Sequence, residues 1–229
     1  MTIHYHGTPI TPLDVMRRLA GGHFCVSHWR PDQVELAHKI GQSVMLDNGA
    51  FSAWKAKKPI TDWKPFYGWA DLWLNCPTSW AVIPDVIDGG AEEQDALLKQ
   101  WPHGDRGVPV WHMDEPIERA LELLQSFQRI CVGSTAQFRV VMSDPWQARI
   151  DQLWREISAR HTRTPYIHML RGMQLTKERW PFASVDSTDI ARNHSAHKQP
   201  VARLERWDAE QCPTVFHDRG AQSSFELAA

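Results

Sequence analysis

Short apolar runs that end on a turn residue alternate along this chain with longer stretches whose apolar positions repeat every three or four residues. The first pattern reads as strands buried on both faces of a parallel sheet, the second as helices packed against that sheet. Strands are expected at residues 23–28, 43–47, 80–85, 108–113, 129–135, 165–170 and 183–186. Helix signals lie between them. Thr11-Pro12 opens one that Gly21-Gly22 closes, and Pro31 opens another that Gly41 stops. Aromatics at helical spacing (Trp63, Phe66, Tyr67, Ala70, Trp73) mark 61–75, and a further helix is expected at 91–101. Asp114 is read as the cap of a helix with Pro116 in its first turn and Ile117, Ala120, Leu121 and Leu124 as its stripe. Asp144-Pro145 opens the clearest helix, with Trp146, Ile150, Leu153, Trp154 and Ile157 on one face, and a short helix is expected near 176–180.

Strands that alternate with helix-sized segments mean βα units and a parallel sheet. Seven such signals predict an α/β fold, a small (β/α)8 TIM-type barrel forming a single domain over residues 1–229, with the eighth strand supplied by 3–6 or by 214–217. Three of the strands end on acids: Asp47, Asp85 and Asp186. The C-terminal strand ends are where barrels gather their chemistry. Carboxylates brought together there either hold a divalent metal or divide nucleophilic and acid/base work in glycosyl transfer. In the second case burial and mutual repulsion keep one ionised while its neighbour holds a proton. A plainer role, helix capping or pairing with an arginine, competes most strongly at Asp85, because Asp88 stands close by.

Composition narrows the partners. With 42% apolar and 23% charged residues the chain can build an ordinary globular core. A formal charge of −2 leaves any nucleic-acid contact to a local patch, and Arg192 to Arg206, with Lys198 and Arg203, is the candidate. Most of the twelve tryptophans are expected to fill space between layers, with one or two free to stack on a base or sugar. Cys25, Cys76, Cys131 and Cys212 form no Cys-x-x-Cys pair, which argues against a thiolate zinc site or a disulfide framework and fits a reducing cytoplasm. No signal pattern and no apolar run of membrane-spanning length is present, so no membrane is expected as a partner.

Asp47-Asn48-Gly49-Ala50-Phe51 resembles the Asp-Ser-Gly-Gly-Phe/Tyr-Gln signature of the tRNA-guanine transglycosylases. In the same order, Ile83-Pro84-Asp85 is similar to that family's second base-binding acid, and Val132-Gly133-Ser134 to its strand-end glycine pair. His168-Met169-Leu170-Arg171-Gly172-Met173 is similar to its next pocket strand, and Ser184-Val185-Asp186 with Arg192 to its nucleophile segment. The resemblance implies that Asp186 attacks C1′ of a nucleotide and that Asp47 moves protons on the leaving and incoming bases; should exchange survive the loss of Asp186, Asp189 is the next candidate nucleophile. It implies that Asp85, Phe51, His112, Gly133, Ser134, Arg171, Gly172, Met173 and Arg192 line the base pocket. The family's cysteine zinc clip is missing, its purine-reading glutamine falls at Trp111-His112, and its second glycine is Ala50. A short, zinc-free chain is more similar to the phage and bacterial enzymes that exchange guanine in DNA for a 7-deazaguanine such as preQ0. The implied setting is the cytoplasm of a bacterium or a phage-infected host, the implied polymer DNA rather than tRNA, and no cofactor or metal is expected.

Two other classes compete. His4-Tyr5-His6, with His112, His168 and Asp186, has the ligand types of a metal-dependent barrel hydrolase, although His4 lies close to a terminus where order is usually poor. A barrel that binds nucleic acid without catalysis is the other, and three retained acids speak against it because carboxylates repel phosphates.

Overall fold

Nine strand segments, all parallel, form one sheet among residues 1–197 and 199–218, the part of the chain described by the computed structural model. They are β1 (Ile3–Gly7), β2 (His23–Ser27), β3 (Ser43–Asp47), β4 (Ser79–Val82), β5 (Gly107–Val108), β6 (Val110–His112), β7 (Arg129–Gly133), β8 (Tyr166–Met169) and β9 (Ser184–Ser187). Their order in the sheet is β5-β4-β3-β2-β1-β9-β8-β7-β6. The two edge segments are separated in sequence by Pro109 alone. Proline has no N–H to give a ladder, so the strand breaks there. Pairing continues on both sides: the Val108 carbonyl accepts from Ile83 N at 2.9 Å and the Pro109 carbonyl from Cys131 N at 2.8 Å. Taken as one interrupted strand, β5 and β6 close a (β/α)8 barrel.

Around it run α1 (Leu13–Arg17), α2 (Val34–Ile40), α3 (Ala50–Lys55), α4 (Lys64–Leu74), α5 (Ala91–Gln100), α6 (Ile117–Ser126), α7 (Asp144–Arg160), α8 (Asp189–His197) and α9 (Pro200–Ala209). The two-residue period of a strand decides what each side chain meets. On β3, Val44 and Leu46 face the helices while Met45 joins Tyr5, Trp80, Val82, Val108, Val110 and Cys131 inside the barrel. Asp47, two residues beyond Met45, therefore also points inward, at the mouth. Trp111, Trp146, Trp154 and Trp180 are fully buried between sheet and helices, as expected for most of the tryptophans. Each such burial contributes roughly 2–3 kcal/mol.

Several expectations are corrected. The eighth strand is β1, paired between β9 and β2, and 214–217 forms no strand. His4 is thus 1% exposed in the middle of the sheet, not frayed at a terminus. Residues 176–180 are turns, because Lys177 takes a left-handed φ of 84°, and the short helical piece is a 3₁₀ turn at Met173–Leu175. Asp114 does not cap α6, whose first residue follows Pro116; the Asp114 carboxylate accepts from the Thr135 hydroxyl instead. No helix among the described residues is long and apolar enough to cross a membrane.

Candidate active site at the barrel mouth

A cavity of about 610 Å³ opens at the C-terminal ends of the strands. Asp47, Asp85 and Asp186 all line it, together with Phe51, His112, Gly133, Ser134, Arg171, Met173 and Arg192. Gly172 does not. A Cβ there would lie 2.4 Å from the Met169 side chain, so this glycine serves close packing beneath the turn rather than the cavity wall.

The chain leaves β3 through a turn that its own residues build. Gly49 takes a left-handed φ of 83°, open to glycine at no steric cost, and Asn48 Oδ1 accepts from Ala50 N at 2.7 Å, which starts α3. The Asn48 amide donates to the Ile83 carbonyl at 2.9 Å and to Asp85 Oδ1 at 2.8 Å, tying the end of β3 to the end of β4. Burial pushes the Asp47 carboxyl up to about 6; the charges of Asp186 and Asp85 add to this, while the Ser27 hydroxyl and the Gly49 amide draw it back. An acid so placed still carries a proton close to neutral pH.

Asp85 is committed differently. Its Oδ2 lies 2.9 Å from His112 Nε2, and with Asn48 on Oδ1 both oxygens already have protein donors. Gln94 is locked by two hydrogen bonds to the Val86 backbone and sets its amide nitrogen 3.3 Å from His112 Nδ1. That orientation favours the Nε2–H tautomer. Burial alone would lower the His112 pKa, but the hydrogen bond and charge of Asp85, helped by Glu115 and Asp114, lift it above the ordinary value.

Asp186 is oriented by His168 on β8 and by Arg171 just beyond its end. Arg171 takes a left-handed φ of 58° that points its N–H at Asp186 Oδ1, 2.7 Å away, and His168 Nε2 is 3.3 Å from the same atom. His168 is fully buried, and burial holds its pKa below the ordinary value against the pull of Asp186, so the ring is neutral. With Nε2–H donating to Asp186, Nδ1 accepts from the Ser184 hydroxyl at 2.8 Å. No hydrogen bond among the described residues reaches Asp186 Oδ2, the atom left for a ligand. Asp189, the reserve nucleophile, is spent on a bidentate pair with Arg203 and on Trp207 Nε1, which hold its carboxyl well below the usual range.

No family model and no curated protein matches this chain. Two crystal structures of tryptophan synthase from M. tuberculosis, one an open form with BRD0059 bound, match over 90% of either chain. Their TM-score is 0.48 and their identity 12% and 11%.

Four cationic side chains, Lys55, Arg139, Arg171 and Arg192, also line the cavity, alongside Asp88 and Asp189. Of the basic stretch at 192–206, Arg203 is consumed by Asp189, and Lys198 lies outside the described residues. From the sequence, His168 is expected on the pocket strand and as a metal ligand, not as an orienting partner for an acid, and Asn48, Trp54 and Arg139 are passed over as site residues. The first two had a signal, an inward-facing strand position and an Asn before a glycine; Trp54 also had one, three residues after Phe51 on the same helical face. Arg139 had none. His4 and His6 face the helices: His4 contacts Thr176 at 3.3 Å and Asp208 at 3.8 Å, away from His112, His168 and Asp186. Among the described residues no group of three or more His, Cys, Asp or Glu is arranged to hold a metal.

Proposed function

We propose that this chain is a base-exchange glycosyltransferase acting on a nucleic acid, DNA in preference to tRNA, that replaces guanine by a 7-deazaguanine through a covalent aspartyl intermediate. The observation that carries the reading is the unequal state of two acids in one cavity. Asp186 has one oxygen fixed by Arg171 N–H and His168 and one oxygen free, while Asp47 is held protonated up to about pH 6. Asp186 Oδ2 attacks C1′, and the C1′–N9 bond breaks with its electron pair going to the base. Asp47 gives that base its proton. The incoming base returns a proton to Asp47 as its nitrogen attacks C1′, and the aspartyl ester opens to restore the Asp186 carboxylate. Such a division of roles is how paired carboxylates serve oxocarbenium-like transition states. Lys55, Arg139 and Arg192 on the cavity wall are the side chains available to meet the phosphates on either side of the reacting sugar.

By the resemblance to the tRNA-guanine transglycosylases, the Asp85–His112 pair is the candidate for reading the purine edge. A guanine-like donor would share Asp85 with His112 and Asn48, using the second lone pair on each oxygen. Reaching a paired base would require extruding it from the duplex. Denaturing electrophoresis of the protein incubated with DNA and with tRNA, side by side, tests the reading. A protein–DNA adduct that disappears in Asp186→Ala is expected. Absence of adduct and of labelled-base exchange with both polymers, or full exchange by Asp186→Ala, would refute it.

A further inference from the structure

Two cation–aromatic contacts cross the cavity mouth side by side. Arg171, just after β8, sets its Cζ 4.3 Å from the Phe51 ring, and Arg139, in the segment after β7, sets its Cζ 5.3 Å from the Trp54 ring. Both aromatics belong to α3, which follows β3, and β3 stands four places from β8 in the sheet order, across the barrel. Phe51 and Trp54 stack on each other with centroids 5.7 Å apart and planes tilted by 27°. Single contacts of this kind occur about once per 70–80 residues and carry no message. Two neighbouring rungs over one mouth, both reaching from the same wall to the same helix, are a different matter.

The inner rung lies over the acids, since the backbone of Arg171 also holds Asp186. The outer rung is built as a surface for a flat ring. Trp54 is half-buried, and its Nε1–H donates to the Asp88 carboxylate, which fixes the plane of the indole while leaving it at the cavity wall. Arg139 is exposed, so its guanidinium can swing aside or close over a ring placed on Trp54. Guanidinium and indole planes are the two protein surfaces on which unpaired bases stack. Lys55 follows Trp54 on the same wall and offers a phosphate contact.

We propose that Trp54 and Arg139 form a second binding site, for the nucleobase adjacent to the one exchanged. The ligand is single-stranded or locally melted DNA of at least two consecutive nucleotides. The inference rests on the base-exchange reading for what lies in the inner rung, and its own test is independent of turnover.

The probe is a fluorescein-labelled single-stranded deoxyoligonucleotide of thymines with one central guanine, in which an abasic residue replaces each thymine in turn. Binding is followed by anisotropy for the wild-type protein, Trp54→Leu and Trp54→Phe. In the wild type, removing the base on one side of the guanine weakens binding roughly tenfold, the scale of one base–aromatic stack. In Trp54→Leu the intact strand binds as weakly as that abasic strand does to wild type, and removing the base changes nothing further. Trp54→Phe keeps most of the coupling, which separates stacking from loss of fold. The inference is overturned if no adjacent position couples to Trp54, if Trp54→Leu binds the intact strand like wild type, or if no strand binds. Tighter binding of the ribose strand with the same coupling would overturn the choice of DNA. Adduct formation is scored in the same samples: coupling with no adduct here, and no adduct or labelled-base exchange on DNA or tRNA, sinks the exchange reading and spares this site, whereas adduct without coupling sinks this site alone.

Discussion

Replacing Asp47 by asparagine is expected to make the protein more stable and inactive, and the gain should depend on pH in a defined way. In the unfolded chain this carboxyl ionises near 3.8; in the folded barrel burial pushes it up to about 6. Between those values the folded state binds more protons than the unfolded state. Stability contributed by the protonated group is therefore complete below about pH 4 and is lost as pH rises through 6. At ~1.36 kcal/mol per tenfold change in an equilibrium constant, forcing the ionised form on the folded site costs about 3 kcal/mol, and solvent in the open cavity brings this nearer 2. Asparagine has the same shape and no charge at any pH, so it escapes the penalty.

Urea unfolding of both proteins at pH 4, 5, 6, 7 and 8 reads this contribution, because groups that do not interact with Asp47 cancel in the difference between wild type and Asp47→Asn, leaving its own ionisation and its coupling to Asp186 and Asp85. The stability of Asp47→Asn minus that of wild type should rise by about 2–3 kcal/mol from pH 4 to pH 8, most of it between pH 4 and pH 6. Base exchange by the variant should be lost at every pH, since no proton remains to deliver to the leaving base. A difference flat to within about 0.5 kcal/mol would mean that the carboxyl is no harder to ionise in the barrel than in water. The general-acid assignment would then fail with it.

Asp85→Ala removes the acceptor of the Asn48 amide and of His112 Nε2; both are buried, so a loss of about 2–4 kcal/mol in urea unfolding is expected. Unchanged stability would mean that Asp85 stands free for ligand. His6, with both ring nitrogens unpartnered among the described residues, has its pKa lowered by burial from 6.5 to about 3. It therefore contributes stability that is present above pH 6.5 and lost as pH falls, and His6→Phe should remove up to ~1.4 kcal/mol per pH unit from the slope of stability between pH 6 and 4. An identical slope in the variant would place the acid sensitivity elsewhere. Arg171→Ala should leave Asp186 held by the backbone N–H yet expose the face of Phe51. Tighter binding of free guanine, read by calorimetry, is expected if the guanidinium occupies the place of a base, and weaker binding would refute that.

What the sequence made legible, and what it hid, divides along one physical line. A strand sends alternate residues to opposite faces, so once 43–47 reads as a strand with Val44 and Leu46 against helices, Asp47 must face the axis, and the same reasoning holds for His168 and Asp186. Position on a strand is local information. Partnership across the barrel is not. Nothing near Arg171 or Arg139 in the chain announces that their guanidinium groups meet Phe51 and Trp54 on the far wall, because those contacts depend on eight strands closing into a ring. Closure itself was half hidden: Pro109 splits one strand into two short pieces whose outer edges pair with different neighbours, and a proline inside an apolar run gives no hint of which. Gly172 was misplaced for a related reason. A glycine beside a strand end reads equally as an opening for a ligand or as room for a neighbouring side chain, and only the position of Met169 decides. The acids were found because their chemistry is costly to bury and so stands out against the apolar runs that carry them there. The contacts that tune them, His168 and Arg171 on Asp186 and His112 on Asp85, come from the neighbouring βα unit, 15 to 27 residues away, and depend on the register between strands rather than on either strand alone; those contacts divide the work among otherwise similar carboxylates.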